Sequence, residues 1–372
     1  MSEWQTFCLK DLGKIVGGAT PSTNNPKNYG NKIRWITAKD LSTLQGRYIK
    51  KGSRNISRLG FKSCSCVLLP KHAILFSSRA PIGYVAIAKK RLCTNQGFKN
   101  IIPNKKIYFE FLYYLLKYHK DNISNIGGGT TFKEVSGATL GLFKVKIPPT
   151  YYEQQKIART LSILDQKIEN NHKINELLHT LAYKIYEYYF KYKPKNAKLE
   201  QIIIENPKSS IMVKNAQKTQ DKYPFFTSGD NILSYPKAII DGRNCFLNTG
   251  GNAGIKFYVG KASYSTDTWC ICANEFSDYL YLLLSSIKNH INQSFFQGTS
   301  LKHLQKNLLK KYPIYMPSAH EIKKFNQIIM PLLTLISINT RTSKKLEQIR
   351  DFLLPLLLTQ QVKPQKPKIS NN

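Results

Sequence analysis

Two stretches of this chain carry the same long apolar pattern 168 residues apart, and this pair limits the possible folds more than any other feature. In the first, Ile157, Leu161, Leu164, Ile168, Asn171, Asn175, Leu178, Ala182, Ile185, Tyr189 and Tyr192 step by alternating fours and threes. In the second, the same steps run through Phe325, Ile329, Leu332, Ile336, Asn339, Ser343, Leu346, Arg350, Leu353 and Leu357. This spacing is the a/d seam of a heptad repeat and predicts two helices of about 40 residues, roughly 60 Å each. Their polar breaks coincide: Asn171 falls on Asn339 and Asn175 on Ser343. Polar residues at matched heights set register at some cost in stability, and they favour the two helices packing on each other. Pro331 lies inside the second pattern and predicts a kink there, or the end of a first short helix.

The repeat extends beyond the helices. IGGGTTFKEV (126–135) matches FFQGTSLKHL (295–304), and FKVKIPP (143–149) matches KKYPIYMP (310–317). More loosely, LGKIV (12–16) pairs with LEQII (199–203), SSRAPIGYVAI (77–87) with NTGGNAGIKFY (248–258), and TNQGFKNI (94–101) with STDTWCI (265–271). These blocks are short β-branched and aromatic runs between Gly, Pro and Asn turns, as strands are. Helical patterns lie between them at FEFLYYLLKYH (109–119) and DYLYLLLSSIKNH (278–290). The prediction is a mixed α/β (α+β) chain divided into a module over 1–150, a helix over 151–193, a second module over 194–317 and a second helix over 318–361. The Lys-rich tail 362–372 reads as disordered.

The glycine-rich GGGTTFKEV resembles a nucleotide phosphate loop, but the P-loop order places Gly-Lys-Ser/Thr after a four-residue gap. Its second copy, QGTSLKHL, keeps one Gly, the Thr/Ser pair and Lys. The reading is therefore a turn closing each module, with Thr130/Thr131 and Thr299/Ser300 capping a short helix and Lys133 and Lys302 placed to meet a phosphate outside any nucleotide loop.

The formal net charge is +34, which predicts a polyanionic partner, with nucleic acid first and a membrane surface second. Residues 1–150 hold 25 Lys and Arg against 6 acids, whereas residues 194–317 hold 15 against 8. No apolar run is long enough to span a bilayer. Seven cysteines, an odd number, with no signal-peptide pattern point to a reducing cytoplasm. The Cys-x-Cys pairs at 64/66 and 270/272 are too tight for usual zinc spacing and predict thiols on one face of a buried strand. Clustered carboxylates for magnesium are missing, as is the Asn/Asp/Ser-Pro-Pro-aromatic motif of an amino-group methyltransferase (IPPTY, 147–151, begins with Ile). The chain reads as a binder with no catalytic site, metal or cofactor of its own.

GGATPSTNNPKNYGNKIRWITAKDL (17–41), LFSSRAPIGYVAI, TNQGFK and GGGTTFKEV…IPPTYYEQQKIARTLSILDQKIE together resemble the specificity subunit of type I restriction–modification enzymes. The second half, with YPFFTSGDNI, NTGGNAGIKFYVGK, STDTW and GTSLKHL, is similar to another variety of the same module. The resemblance implies two target-recognition domains joined by two antiparallel spacer helices as a pseudo-twofold repeat. It implies one half of a bipartite, gapped double-stranded DNA target for each domain. It also implies two methyltransferase subunits and motor–nuclease restriction subunits as partners. Those subunits would hold S-adenosylmethionine, ATP and Mg and carry out adenine-N6 methylation or cleavage. The alternative is an orphan DNA-binding or regulatory protein of the same fold acting without partners.

Within this reading the DNA-contact candidates are Arg34, Lys39, Arg79, Asn95, Gln96 and Lys133 in the first module, and Asn248, Asn252, Lys256, Thr266, Asp267 and Lys302 in the second. The competing role for motif residues is shaping loops or touching the backbone. A residue common to many subunits cannot encode a variable target, so stretches 42–66 and 208–222 are candidates for the specificity itself.

Overall fold

The computed structural model describes residues 3–79, 81–129, 133–216 and 222–363. Thr130, Thr131 and residues 364–372 of the basic tail lie outside the described residues. The heptad patterns form helices Tyr151–Tyr186 and Ala319–Leu358, the first ending in a π-helical turn, Glu187–Lys191. Tyr192, counted in the seam above, lies past that turn and is exposed. The second helix does not break at Pro331. Its ring is exposed, while Ile329 and Leu333 on either side are fully buried, so core packing holds the helix through the proline. Leu333, rather than Leu332, carries the deeper burial at this height.

Contacts divide the chain into two units, Met1–Glu169 with Leu346–Asn372, and Asn170–Lys345. Both divisions fall inside the long helices, so each unit owns a length of each helix.

In the first unit a five-stranded sheet runs in the order Gly13–Gly17, Lys99–Pro103, Ile74–Phe76, Val85–Ala88, Tyr48–Ile49, antiparallel except for the last pair. Ile74–Phe76 is an uninterrupted apolar run because both faces are covered. A smaller sheet joins Arg54–Ile56, Tyr29–Ile36 and Cys93–Thr94. Gln5–Cys8 pairs with Lys144–Ile147, the strand that leads into the first long helix. Helix Phe109–Tyr118 buries Phe111, Leu112 and Leu115 in one core with Ile157, Ala158 and Leu161 of the first long helix and Leu354, Leu357 and Leu358 of the second.

The second unit repeats this plan. Its main sheet is Ile204–Glu205, Thr268–Cys272, Arg243–Asn248, Ile255–Val259, and its smaller sheet is Leu233–Tyr235, Tyr223–Phe226, Ser263–Tyr264. In both small sheets the middle strand pairs in parallel with the later one. Ala197–Lys198 pairs with Pro313–Ile314 as Gln5–Cys8 does with Lys144–Ile147. Helix Ser277–Ser286 shares a core with Ala182, Tyr186 and Phe190 of the first long helix and Ile322, Phe325, Ile329 and Leu333 of the second.

Two local readings are corrected. LGKIV does not correspond to LEQII. The Leu9 N–H donates to Phe143 O at 3.0 Å and the Leu199 N–H to Tyr312 O at 3.0 Å, so Leu9 is the counterpart of Leu199. A one-turn helix precedes the edge strand of each main sheet, Leu9–Leu12 before Gly13–Gly17 and Leu199–Gln201 before Ile204–Glu205, and its packing fixes the correspondence that β-branched similarity obscured. Cys64 and Cys66 lie in a loop after helix Arg58–Lys62 and not on a strand, with the Cys66 thiol donating to Ala19 O at 3.1 Å. Cys270 and Cys272 do lie on a strand, Thr268–Cys272.

The seam residues Ile157, Leu161, Ile168, Phe325 and Ile336 are buried, and Leu164, Asn171, Leu178, Ile185, Leu332, Asn339, Leu346 and Leu353 are partly buried. In the second unit the polar seam closes on itself. Asn171 Nδ2 donates to Ser343 Oγ at 3.1 Å, and Asn339 Nδ2 donates to Asn175 Oδ1 at 2.9 Å. Rising numbers on one helix meet falling numbers on the other, so the segments run antiparallel. Asn175→Leu alone should cost about 1–3 kcal/mol, because it leaves the partly buried Asn339 amide without its acceptor, beside an alkyl chain. The pair Asn175→Leu/Asn339→Leu should recover most of that loss. Thermal unfolding of the four-member cycle measures the coupling, and additive losses would contradict it.

Candidate nucleic-acid interface

The three repeated motifs, far apart in sequence, meet in each unit through the same backbone hydrogen bonds. In the first unit the Ser78 N–H donates to Gly97 O at 2.8 Å, and the Val135 N–H donates to Ser78 O at 3.0 Å. In the second the Thr249 N–H donates to Asp267 O at 3.2 Å, and the Leu304 N–H donates to Thr249 O at 3.0 Å. Isolated bridges Arg79↔Glu134 and Gly250↔His303 flank these bonds. The loop after the central strand is thus pinned between the turn before its neighbour strand and the glycine loop.

This junction explains the glycine pattern. Gly129 and Gly298 both have positive φ, at 118° and 140°, and a Cβ on Gly298 would lie 2.4 Å from Leu301 O. The one glycine kept in both copies is therefore the one the turn requires. The helix-capping role for Thr299 and Ser300 is corrected, since both sit in a bend. The next helix, Lys306–Lys310, has Gln305 at its N-cap with no side-chain bond. In the first copy the cap is Ser136, whose Oγ accepts from the Thr139 N–H at 3.0 Å. Thr130 and Thr131 fall outside the described residues.

Around the first junction, Arg79 and Lys99 share the Glu134 carboxylate at 3.6 and 3.1 Å. Asn95 Oδ1 accepts from the Gly97 N–H at 3.1 Å, which shapes the turn. Gln96 is exposed and accepts from the Thr20 hydroxyl, and Lys133 is exposed on the glycine loop. Arg34 lies away from this group on strand Tyr29–Ile36, opposite Asn55, and Lys39 is exposed on helix Ala38–Ser42.

Around the second junction, Asn248 is 7% exposed, donates to Asn252 O at 3.1 Å and accepts from Lys256 Nζ at 3.2 Å. Lys256 also donates to Thr227 O at 2.8 Å, and burial lowers its pKa. Asn248 is buried and Lys256 partly buried, and the two hold the turn from within. Thr266 is half-buried, with its N–H on Ile211 O at 3.0 Å. The side chains of Asn252, Asp267 and Lys302 are exposed, and Lys302 O accepts from the Gly251 N–H at 2.9 Å. Each junction is a braced platform presenting amide and charged side chains, the groups that contact base edges and phosphates. Among the described residues no three His, Cys, Asp or Glu side chains are placed to hold a metal ion.

The acidic residues do cluster, but around guanidinium groups. Arg47 is bound to Glu110 at 2.9 Å and to Glu169 of the first long helix at 3.2 Å, with its side chain 3% exposed. Its N–H also donates to Glu169 at 2.9 Å, next to Gly46, whose φ is 132°. Arg350 of the second long helix binds Asp165 at 2.7 Å, and Tyr114 donates to the same carboxylate at 2.5 Å. Burial opposes the Arg350 charge, but Asp165 and Asp351 outweigh it and raise its pKa. In the second unit Arg243 makes a two-pronged bond to Asp278 and donates to Thr334 Oγ1 of the second long helix at 2.9 Å. Burial raises the Asp278 pKa, with Arg243 opposing it. Glu110 and Asp278 stand 168 residues apart in the first turn of equivalent helices. Following the repeat through its acids would have found them.

A family model described as "Type I restriction modification DNA specificity domain" matches this chain twice, over residues 1–180 and 195–348. The chain is 33% identical over 403 residues to the type I restriction enzyme MjaIX specificity subunit of Methanocaldococcus jannaschii, covering 96% of this chain and 93% of that protein. It is 30% identical over 177 residues to the type I restriction enzyme HindI specificity subunit of Haemophilus influenzae, covering 45% of this chain and 37% of that protein. Its fold is similar to the crystal structure of a type I restriction–modification S subunit from M. genitalium, with a TM-score of 0.62 at 17% identity over 98% of this chain and 96% of that one.

Lys256→Met should lower stability by roughly 1–3 kcal/mol, by stranding Thr227 O and the Asn248 amide. The salt dependence of DNA binding should stay unchanged. A smaller salt slope at unaltered melting temperature would return Lys256 to the contact surface.

Proposed function

Because this chain belongs to the type I restriction–modification DNA specificity domain family, we propose that it reads a bipartite, gapped double-stranded DNA target and scaffolds two methyltransferase subunits, with motor–nuclease subunits joining that assembly. The chain is a specificity subunit, a non-catalytic DNA-recognition component. Recognition domains over 1–150 and 194–317 take one half-site each, and helices over 151–193 and 318–361 act as spacers. S-adenosylmethionine, ATP and Mg belong to the partner subunits, and the complex works in the cytoplasm. Among the described residues no helix is long and apolar enough to cross a membrane.

The observation that carries this reading is one frame used twice with different surfaces. Both units build the same three-motif junction, yet the first exposes Gln96 and Lys133 where the second exposes Asn252, Asp267 and Lys302. The same frame with unequal side chains fits two unequal half-sites. The charge of +34 supports a large phosphate component of affinity.

Methylome sequencing with and without this gene tests the function. A gapped adenine motif should disappear with the gene, and methyl transfer by the purified chain alone would overturn the reading. Lys133→Glu and Lys302→Glu should each weaken binding to all sequences alike and reduce the salt slope by about 1. A changed target preference in either variant would make that residue a base reader.

A further inference from the structure

Buried Arg47 and partly buried Arg243 each tie a sheet to a helix and to one of the long helices. Arg47 joins three parts of the first unit, the edge of the main sheet, helix Phe109–Tyr118 through Glu110, and the first long helix through Glu169. Tyr48 and Tyr108 also donate to the Glu110 carboxylate, at 2.5 and 2.9 Å. Gly46 is fitted to the same contact, since a Cβ there would lie 3.1 Å from Glu169. The second unit builds an equivalent joint from different residues. Arg243 on the central strand ties Asp278 of helix Ser277–Ser286 to Thr334 and to Met330 O on the second long helix. The Val259 N–H donates to Ser337 Oγ at 3.0 Å, 168 residues on from Glu169, which receives the Arg47 N–H.

Apolar burial is non-directional and tolerates small rotations of one packed body on another. Charge-assisted bonds from a guanidinium fork hold one geometry, and removing one partner leaves an uncompensated charge. One added base pair moves a half-site by about 3.4 Å and turns it by roughly 35°. A module free to rock on its helix by a comparable angle could not reject it.

Resting on the bipartite reading above, we propose that Arg47 with Glu110 and Glu169, and Arg243 with Asp278 and Thr334, are positioning residues that fix the angle of each recognition module on its helix and so determine which gap length between half-sites the protein accepts. They touch no base. The base identities read at each half-site are left to the junction loops.

The test uses the full chain in complex with its methyltransferase partner and duplexes carrying the mapped motif with the native spacer, one base pair more and one fewer. Affinity and methylation kcat/KM are measured on each for wild type, Glu169→Gln, Arg47→Met and Arg243→Met. Glu169→Gln keeps an acceptor for the Arg47 N–H and is the variant chosen to remain folded. Preference for the native spacer should fall on the order of tenfold in the variants, with half-site base preference unchanged. A spacer preference equal to wild type, whether activity is retained or lost uniformly on all three duplexes, overturns the proposal. A contiguous motif for the wild-type complex would bring down the bipartite reading itself, whatever the variants do.

Discussion

Neither long helix can bury its apolar seam with its own half of the chain, and this constraint organises the molecule. The first unit's core needs Leu354, Leu357 and Leu358 from the far end of the sequence beside Ile157 and Leu161. The second unit's core needs Ala182, Tyr186 and Phe190 beside Phe325 and Ile329. Each unit is therefore complete only when both helices are present. Contacts of such long sequence separation make folding slower, because loop closure precedes the contacts that reward it. They also make each module continuous with part of both long helices.

Polar groups sharpen what the apolar seam leaves loose. Leucines along two antiparallel helices could slide by a turn at little cost. The Asn171–Ser343 and Asn339–Asn175 bonds are satisfied in one register only. The arginine joints play the same part between sheet and helix. An Arg47 separated from Glu110 and Glu169 would be a buried unpaired charge. Function in such a molecule is geometric, and its buried ions sit where geometry has to be held.

The junction loops divide the candidate contact residues by environment. Asn248 and Lys256 look like readers in sequence, with the right chemistry inside a repeated motif, yet they spend their hydrogen bonds on each other and on Thr227 and Asn252. Gln96, Asn252, Asp267 and Lys302 occupy similar motif positions but face solvent. Composition could not separate these groups, because an amide that shapes a turn and one that faces solvent are the same side chain in different surroundings. The same limit hid the Arg47 and Arg243 joints, whose partners lie 63 and 35 residues away.

The sequence by itself determined the internal repeat, the two helices, the matched polar seam and the need for a polyanionic partner, because periodicity and net charge are local or additive properties. Its family resemblance extended these to a recognition subunit. Only the tertiary structure decided that the helix runs through Pro331, that Leu9 and not Leu12 corresponds to Leu199, and that the one retained glycine of GGGTTFKEV serves a left-handed turn. Each of these depends on what packs against a residue from elsewhere in the chain. For the same reason the three motifs became a site only in the fold, where Ser78 meets Gly97 and Val135, and Thr249 meets Asp267 and Leu304.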